Sequence, residues 1–225
     1  MFATGSELLP VGHPLETGKI RNSNGYMIAA QVKAAGGIPL LMETVSDDAD
    51  QARKVILQTF SSVDLVITTG GVSVGDYDIM VDIFAQWEGQ LLFNKIALRP
   101  GSPTTAGVWQ DKFLIALSGN PGACFVGFEL FAGPALRGFQ GMQQMFPTEY
   151  EAFLGVDYPK GNAYPRYIRG RSYVNQGKIY VIPSGPDKSS IMTSIKDSDC
   201  LIIIPPGGKG LQEGQLVTAM RLNGT

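Results

Sequence analysis

The run VDLVIT at residues 63–68 is apolar enough to be covered on both faces, and it stops at Gly70 and Gly71. A strand buried on both sides needs helices above and below it, and the neighbouring segments supply them. SNGYMIAAQVKAAGG predicts a helix with Met27, Ala30 and Ala34 on one face, ended by Gly36 and Gly37. IPLLMETV predicts a short strand. SDDADQARKVILQTF predicts the next helix, with Ser46 as N-cap and Ala52, Val55, Ile56 and Phe60 as its stripe. DYDIMVDIFAQW places Met80, Ile83, Phe84 and Trp87 at helical spacing. QLLFNKIAL, TTAGVW and KFLIAL read as strands. NPGACFVGFELFAGPALRGF reads as a helix with Pro121 in its first turn and Pro134 as a break. The fold class expected is α/β: a three-layer α/β/α domain around a mostly parallel sheet.

From about Glu149 the helical period disappears. AFLGVDY, RYIRGRSYV, KIYVIPS, CLIIIPP and QLVTAMRL are short strands separated by Gly, Pro, Asn and Asp, as in a small all-β barrel. The chain is therefore expected to divide into residues 1–146 and 147–225. MFAT is short for a first strand, so the chain is expected to begin inside an element.

Three loops follow expected strands and would share the carboxyl edge of the sheet, where open α/β sheets bind ligands. The first holds Thr4, Gly5, Ser6 and Glu7. The second is TTGGVSVGDYD. The third runs from Leu117 to Ala123 and holds Ser118, Gly119, Asn120 and Pro121. In the second loop Gly70 and Gly71 permit positive φ, and the amides from Gly71 through Val72 and Ser73 to Gly75 would form an anion nest. Asp76 and Asp78 beside such a nest would repel a phosphate unless a divalent cation lay between them, and Mg²⁺ suits carboxylate and phosphate oxygens. The third loop would add a second anion site, with Lys95, Arg99 and Ser102 nearby and Lys19 and Arg21 in the loop after the first strand. Each feature has a purely structural alternative. Gly-Gly serves a tight βα turn, Asp76 and Asp78 suit a helix start, and Ser118 to Pro121 is a good helix cap.

A formal net charge of −2 gives no field for nucleic acid, and no apolar run reaches the roughly 18 residues of a membrane span. Cys124 and Cys200 are far apart in sequence and in apolar surroundings, as expected of core residues in a reducing compartment. With no signal peptide visible, cytoplasm is expected. His13, the single histidine, sits before Pro14 in an expected loop, so no Ser-His-Asp set exists.

TTGGVSVGDYD, together with SGNPGACFVGFELFAGPALR, resembles the MoeA / gephyrin E-domain family, the molybdopterin molybdotransferases. ATGSELLPVGHPLETGKIRNSNGYM, IALRPGSPTTAG and the β-rich tail extend the resemblance over essentially all 225 residues. It implies Mg²⁺-assisted insertion of molybdate into adenylylated molybdopterin, with release of AMP. Glu7, Asp76 and Asp78 would serve the reaction, and the three loops with Arg99 and Ser102 would bind the ligand. It also implies a homodimer and a molybdopterin adenylyltransferase as partner. The alternatives are a non-catalytic molybdopterin-binding or scaffold relative and, third, an adenylyltransferase. The family enzymes carry two further N-terminal domains that are not in these residues. Ser6, Ser102 and Ser118 stand where the family has an acid, a lysine and a proline, and PDKSSIMTS replaces its Q-G-S-G-like turn.

Overall fold

The computed structural model describes residues 1–44, 48–72 and 79–222. The α/β part contains β1 (Phe2–Ala3), β2 (Leu8–Leu9), β3 (Ile20–Arg21), α1 (Asn24–Ala34), α2 (Ala49–Thr59), β4 (Leu65–Thr69), α3 (Ile79–Ala85), β5 (Gln90–Asn94), β6 (Thr105–Trp109), β7 (Lys112–Leu117), α4 (Pro121–Gly127) and α5 (Gly133–Phe139). The main sheet has the order β1-β4-β7-β6-β5. Pairing is parallel through β1, β4 and β7, and antiparallel through β7, β6 and β5. The antiparallel half follows from chain length. Only Gln110 and Asp111 join β6 to β7, and two residues cannot carry a crossover. β2 and β3 form a separate two-stranded parallel pair.

Alternation along the central strands separates two layers of core. Val66 of β4 and Leu114 and Ala116 of β7 pack with Ala52, Ile56 and Phe60 of α2 and Met80 and Ile83 of α3. Ile67, Ile115 and Leu117 point to the other face, against Ile28 and Val32 of α1, Cys124 of α4 and Phe128. Both faces are buried, which explains why the strands read as continuous apolar runs.

Three local expectations are corrected. IPLLMETV forms no strand over its described residues; it only runs beside β1, with Met42 N donating to Met1 O at 3.0 Å and the Met1 amino group donating to Leu40 O at 2.7 Å. The edge formed by two-residue β1 offers too few partners for a ladder. The inward face of α1 is Ile28, Gln31, Val32 and Ala35, while Ala30 and Ala34 are exposed. The larger Ile and Val win the buried side, and a polar residue between them disguises the stripe. The N-cap of α2 is Asp48, whose carboxylate accepts from Gln51 N at 2.9 Å; Ser46 lies outside the described residues. Pro134 acts as expected at a distance: lacking an N–H for the carbonyl of Leu130, it follows a π turn at Phe128–Ala132 that joins α4 to α5.

The β part contains β8 (Glu149–Leu154), β9 (Arg166–Asn175), β10 (Lys178–Pro183), α6 (Thr193–Lys196), β11 (Cys200–Ile204) and β12 (Leu216–Arg221). The strands close into a barrel in the order β10-β8-β12-β11-β9. Ile168, Val181, Cys200, Ile202, Val217 and Ala219 fill its interior. Leu201 and Met220 face outward and pack on Phe125 and Val126 of α4, so one helix serves both cores. Arg99 ties the parts through its backbone: Arg99 N donates to Pro165 O at 2.9 Å, and Tyr167 N donates to Arg99 O at 2.8 Å. Both cysteines are free and buried, with burial pushing each thiol's pKa up and that of Cys200 to about 12. Among the described residues, no helix is long and apolar enough to cross a membrane.

Candidate functional site

The carboxyl ends of β1, β4 and β7 lie side by side, so the loops that follow them meet. Thr4 N donates to Thr69 O at 3.0 Å, and Gly70 N donates to Leu117 O at 3.0 Å. These bonds extend the ladders just past the strands and fix the loops to one another. Gly70 and Gly71 hold φ of +87° and +66°. A Cβ on Gly70 would lie 2.6 Å from Thr4 O, and one on Gly71 would lie 2.4 Å from Ile79 Cγ2 and 2.8 Å from Thr4 Oγ1. Conformation and close packing together therefore demand glycine at both positions. In the first loop Gly5 holds φ of +138°, and a Cβ there would meet the Glu7 carboxylate at 2.5 Å. Glu7 thus folds back over its own turn while remaining exposed.

The third loop is pinned from across the site. Asn24, at the start of α1, donates through Nδ2 to Gly119 O at 2.8 Å. Among the described residues its buried Oδ1 has no hydrogen-bond partner, an acceptor left for a donor in the adjoining space. Asn120 caps α4 with its main chain, as Ala123 N and Cys124 N both donate to Asn120 O. Ser118 Oγ accepts from Asn120 N at 3.4 Å. The cap reading of this loop and the ligand reading are therefore compatible, because its outward surface remains free.

These loops wall a cavity of about 720 Å³ that takes in Thr4, Gly5, Glu7, Gly70, Gly71, Val72, Ser118, Gly119, Asn120 and Pro121. A second cavity of about 570 Å³ adjoins it, sharing Val72, Ser118, Asn120 and Ser190, and adds Arg99 and Ser102. The residues named on the first cavity, with Arg99 and Ser102 on the second, are ones that the sequence points to, while Ser6 of the first loop borders neither cavity. Ser73, Gly75, Asp76 and Asp78 lie outside the described residues. Lys95 borders neither cavity, and Lys19 instead donates through Nζ to Ser6 O at 2.6 Å. Ser102 Oγ donates to Leu98 O at 2.5 Å, so its proton is committed to its own turn. Among the described residues there is no cluster of three His, Cys, Asp or Glu side chains able to hold a metal ion.

Sequence reasoning missed Asn24, Asp82 and the whole barrel contribution. Asp82 lies on α3 and borders the first cavity with Glu7, giving two described carboxylates there. From the barrel, Arg166, Asp187, Lys188, Ser189 and Ser190 border the second. The segment 187–190 is fixed by Arg169, which is 4% exposed and donates through Nε to Ser194 Oγ and through Nη2 to Lys188 O, both at 2.9 Å. Desolvation lowers the pKa of Arg169, and the Asp187 charge partly restores it. Gly122 makes room for this guanidinium: a Cβ there would sit 2.4 Å from Arg169 Nη1, and Gly122 N donates to Ser189 O at 2.6 Å. The signals were present as PRYIRGR and PDKSS, but no periodicity shows that a turn in a barrel will reach a sheet edge.

Residues 1–138 match the family described as a probable molybdopterin binding domain, and residues 151–222 match the MoeA C-terminal region, domain IV. A Bacillus subtilis (strain 168) protein named molybdopterin molybdenumtransferase is 43% identical over 220 residues, 98% of this chain and 51% of its own length. A Staphylococcus aureus (strain Mu50 / ATCC 700699) protein of the same name is 43% identical over 217 residues, 96% of this chain and 52% of its own. The crystal structure of a molybdopterin biosynthesis MoeA protein from Pyrococcus horikosii superposes with a TM-score of 0.82 at 25% identity, covering 100% of this chain and 54% of that one. The chain spans about half the length of the curated relatives it matches.

Proposed function

The chain belongs to the MoeA family, with a molybdopterin-binding domain followed by the MoeA C-terminal region, and on that premise we propose that it acts in molybdenum cofactor assembly. The reaction proposed is insertion of molybdate into adenylylated molybdopterin with release of AMP. The division is taken at residues 146 and 147. The observation that supports this reading most is the meeting of three strand-end loops on one cleft, with glycine required twice where the main chain must pass Thr4.

In this reading the first cavity receives the pterin and its phosphoanhydride. The amides that follow Gly70 and the third loop face the phosphates, and Asn24 Oδ1 accepts from a ligand N–H or O–H. The second cavity receives the oxyanion beside Arg99 and Arg166. Asp76 and Asp78, which lie outside the described residues, are the proposed ligands of Mg²⁺, whose preference for carboxylate and phosphate oxygens suits them, and Glu7 and Asp82 are the described carboxylates on the first cavity. Bound there, Mg²⁺ would neutralise charge on the phosphates as AMP departs. The protein's own groups orient the two substrates toward each other, which is where proximity supplies rate. A cytoplasmic location, a homodimer and docking to a molybdopterin adenylyltransferase complete the proposal.

The test is calorimetry with adenylylated molybdopterin in the presence of Mg²⁺, followed by AMP release on adding molybdate. Wild type should bind and release AMP, and Asp78→Ala should bind at least tenfold more weakly, as expected for the loss of a charged ligand contact. Absence of binding with Mg²⁺ present, or an Asp78→Ala variant equal to wild type, would refute it. One observation favours a second reading, a carrier or scaffold that binds molybdopterin without turnover: the Ser102 hydroxyl is turned onto Leu98 O where the family has a lysine. AMP release at the rate of a complete family member would exclude that reading.

A further inference from the structure

Donors converge on one carboxylate oxygen at the edge of the second cavity. Tyr158 Oη donates to Asp187 Oδ2 at 2.6 Å, Arg166 Nη1 donates to the same atom at 2.7 Å, and Lys160 Nζ lies 3.9 Å from it. The Asp187 side chain is 10% exposed, whereas Glu88, in the surface pair with Arg53, is 70% exposed. Arg166 is fixed a second time, because its Nε donates to Asn162 Oδ1 at 2.6 Å. The enclosed pair is screened little by solvent, so its carboxylate weighs heavily on the field of the cavity.

The other charged side chains on this cavity are cationic. Arg99 and Lys188 border it, and among the described residues neither side chain has a hydrogen bond or ion pair. Among the described side chains that border the cavity, Arg99, Arg166 and Lys188 outnumber Asp187, and Lys160, 3.9 Å from Asp187 Oδ2, adds a further cation beside it. That cationic excess suits an oxyanion.

We propose that Asp187 is a specificity-determining residue: by occupying Arg166 it lowers the positive charge that the second cavity presents and holds the oxyanion's affinity down, more for a dianion than for a monoanion. The proposal rests on the reading of this cavity as the oxyanion side of the site. The physical reason for such a residue lies in transfer chemistry. An oxyanion gripped too tightly in the ground state must give that energy back before it can move to the pterin. A carboxylate already seated on Arg166 weakens the grip without removing the arginine, and it leaves Arg99 and Lys188 to meet the incoming anion.

The experiment compares binding of inorganic molybdate, a dianion, and perrhenate, a monoanion of the same shape, to wild type, Asp187→Asn and Tyr158→Phe by calorimetry. Asp187→Asn keeps an acceptor for Tyr158 and Arg166 and removes only the charge. It should tighten molybdate about tenfold and perrhenate about threefold, because the repulsion removed scales with ligand charge. Tyr158→Phe removes a hydrogen bond to Asp187 without altering charge, and it should leave molybdate affinity within about twofold of wild type. The proposal is overturned if Asp187→Asn leaves molybdate affinity unchanged or weaker, if both anions tighten equally, or if Tyr158→Phe reproduces the gain. Adenylylated molybdopterin, titrated separately, reads the first cavity. Its failure to bind wild type would refute the assignment of the site, while the oxyanion comparison would still decide the role of Asp187.

Discussion

The two adjoining cavities are walled by different materials. The first is built from main chain held at short range: Gly70 and Gly71 pass Thr4 with no space for a methyl group, and Asn24 pins the third loop by a carbonyl. The second is built from side-chain charge supplied by two parts of the molecule, Arg99 from the α/β part and Arg166, Asp187 and Lys188 from the barrel. A main-chain wall accepts no substitution and fixes geometry. A wall of charged side chains can be retuned one residue at a time. The departures from the family pattern follow this division in part: both glycines of the first wall are retained and Ser102 and the 187–190 turn of the second are altered, but Ser118, which borders both cavities, is altered as well.

Substitution at the glycines should separate the two walls most sharply. Gly71→Ala forces a Cβ to 2.4 Å from Ile79 Cγ2 at a φ of +66°. It should cost about 2–4 kcal/mol of stability and weaken adenylylated molybdopterin at least a hundredfold. A variant that binds like wild type would break the distinction. Next in size is Arg169→Gln, which removes the charge that anchors Lys188 O and leaves Gly122 facing a gap. A stability loss of about 1–3 kcal/mol is expected by denaturant unfolding, with molybdate affinity falling more than pterin affinity. An equal fall in both would mean that the barrel shapes the first cavity as well. Ser102→Lys should sharpen the comparison by restoring a cation to the second wall. Molybdate should bind about tenfold more tightly, with pterin affinity little changed.

The smallest effect lies away from both cavities. Glu129 is 5% exposed, and Gln31 Nε2 donates to its Oε1 at 2.7 Å, while Glu129 Oε2 and Gln31 Oε1 are buried without partners among the described residues. Burial raises the pKa of Glu129, opposed by the Gln31 hydrogen bond and by the charge of Arg137. A carboxyl that holds its proton more tightly folded than unfolded favours the fold at acid pH. That contribution is lost as pH rises from the ordinary carboxylate range through the raised value. Glu129→Gln should therefore leave Tm unchanged near pH 4 and raise it by about 3 °C at pH 8. A variant less stable at pH 8 would show that the charged form is the one the fold prefers.

Much of the α/β part was legible because buried strands and amphipathic helices announce themselves by period, as Val66, Leu114, Ile56 and Met80 do. The glycines were legible because few residues adopt positive φ. Misreadings came where tertiary context decided. Ile38 to Met42 has strand composition but too little edge to pair with, and α1 turns Ile28 inward with polar Gln31 in its stripe. The barrel's share of the site was hidden for a different reason. Asp187 reaches Arg166 across 21 positions of sequence, and Arg169 reaches Ser194 across 25. Such pairings are properties of closure, and no local pattern records them.

A crystal structure of the protein with adenylylated molybdopterin, Mg²⁺ and molybdate tests the central claim most directly. The account predicts the phosphates against the main chain after Gly70 and the oxyanion between Arg99 and Arg166, within reach of the dithiolene. Phosphates bound elsewhere, or an oxyanion found outside the cavity that Asp187 borders, would contradict it.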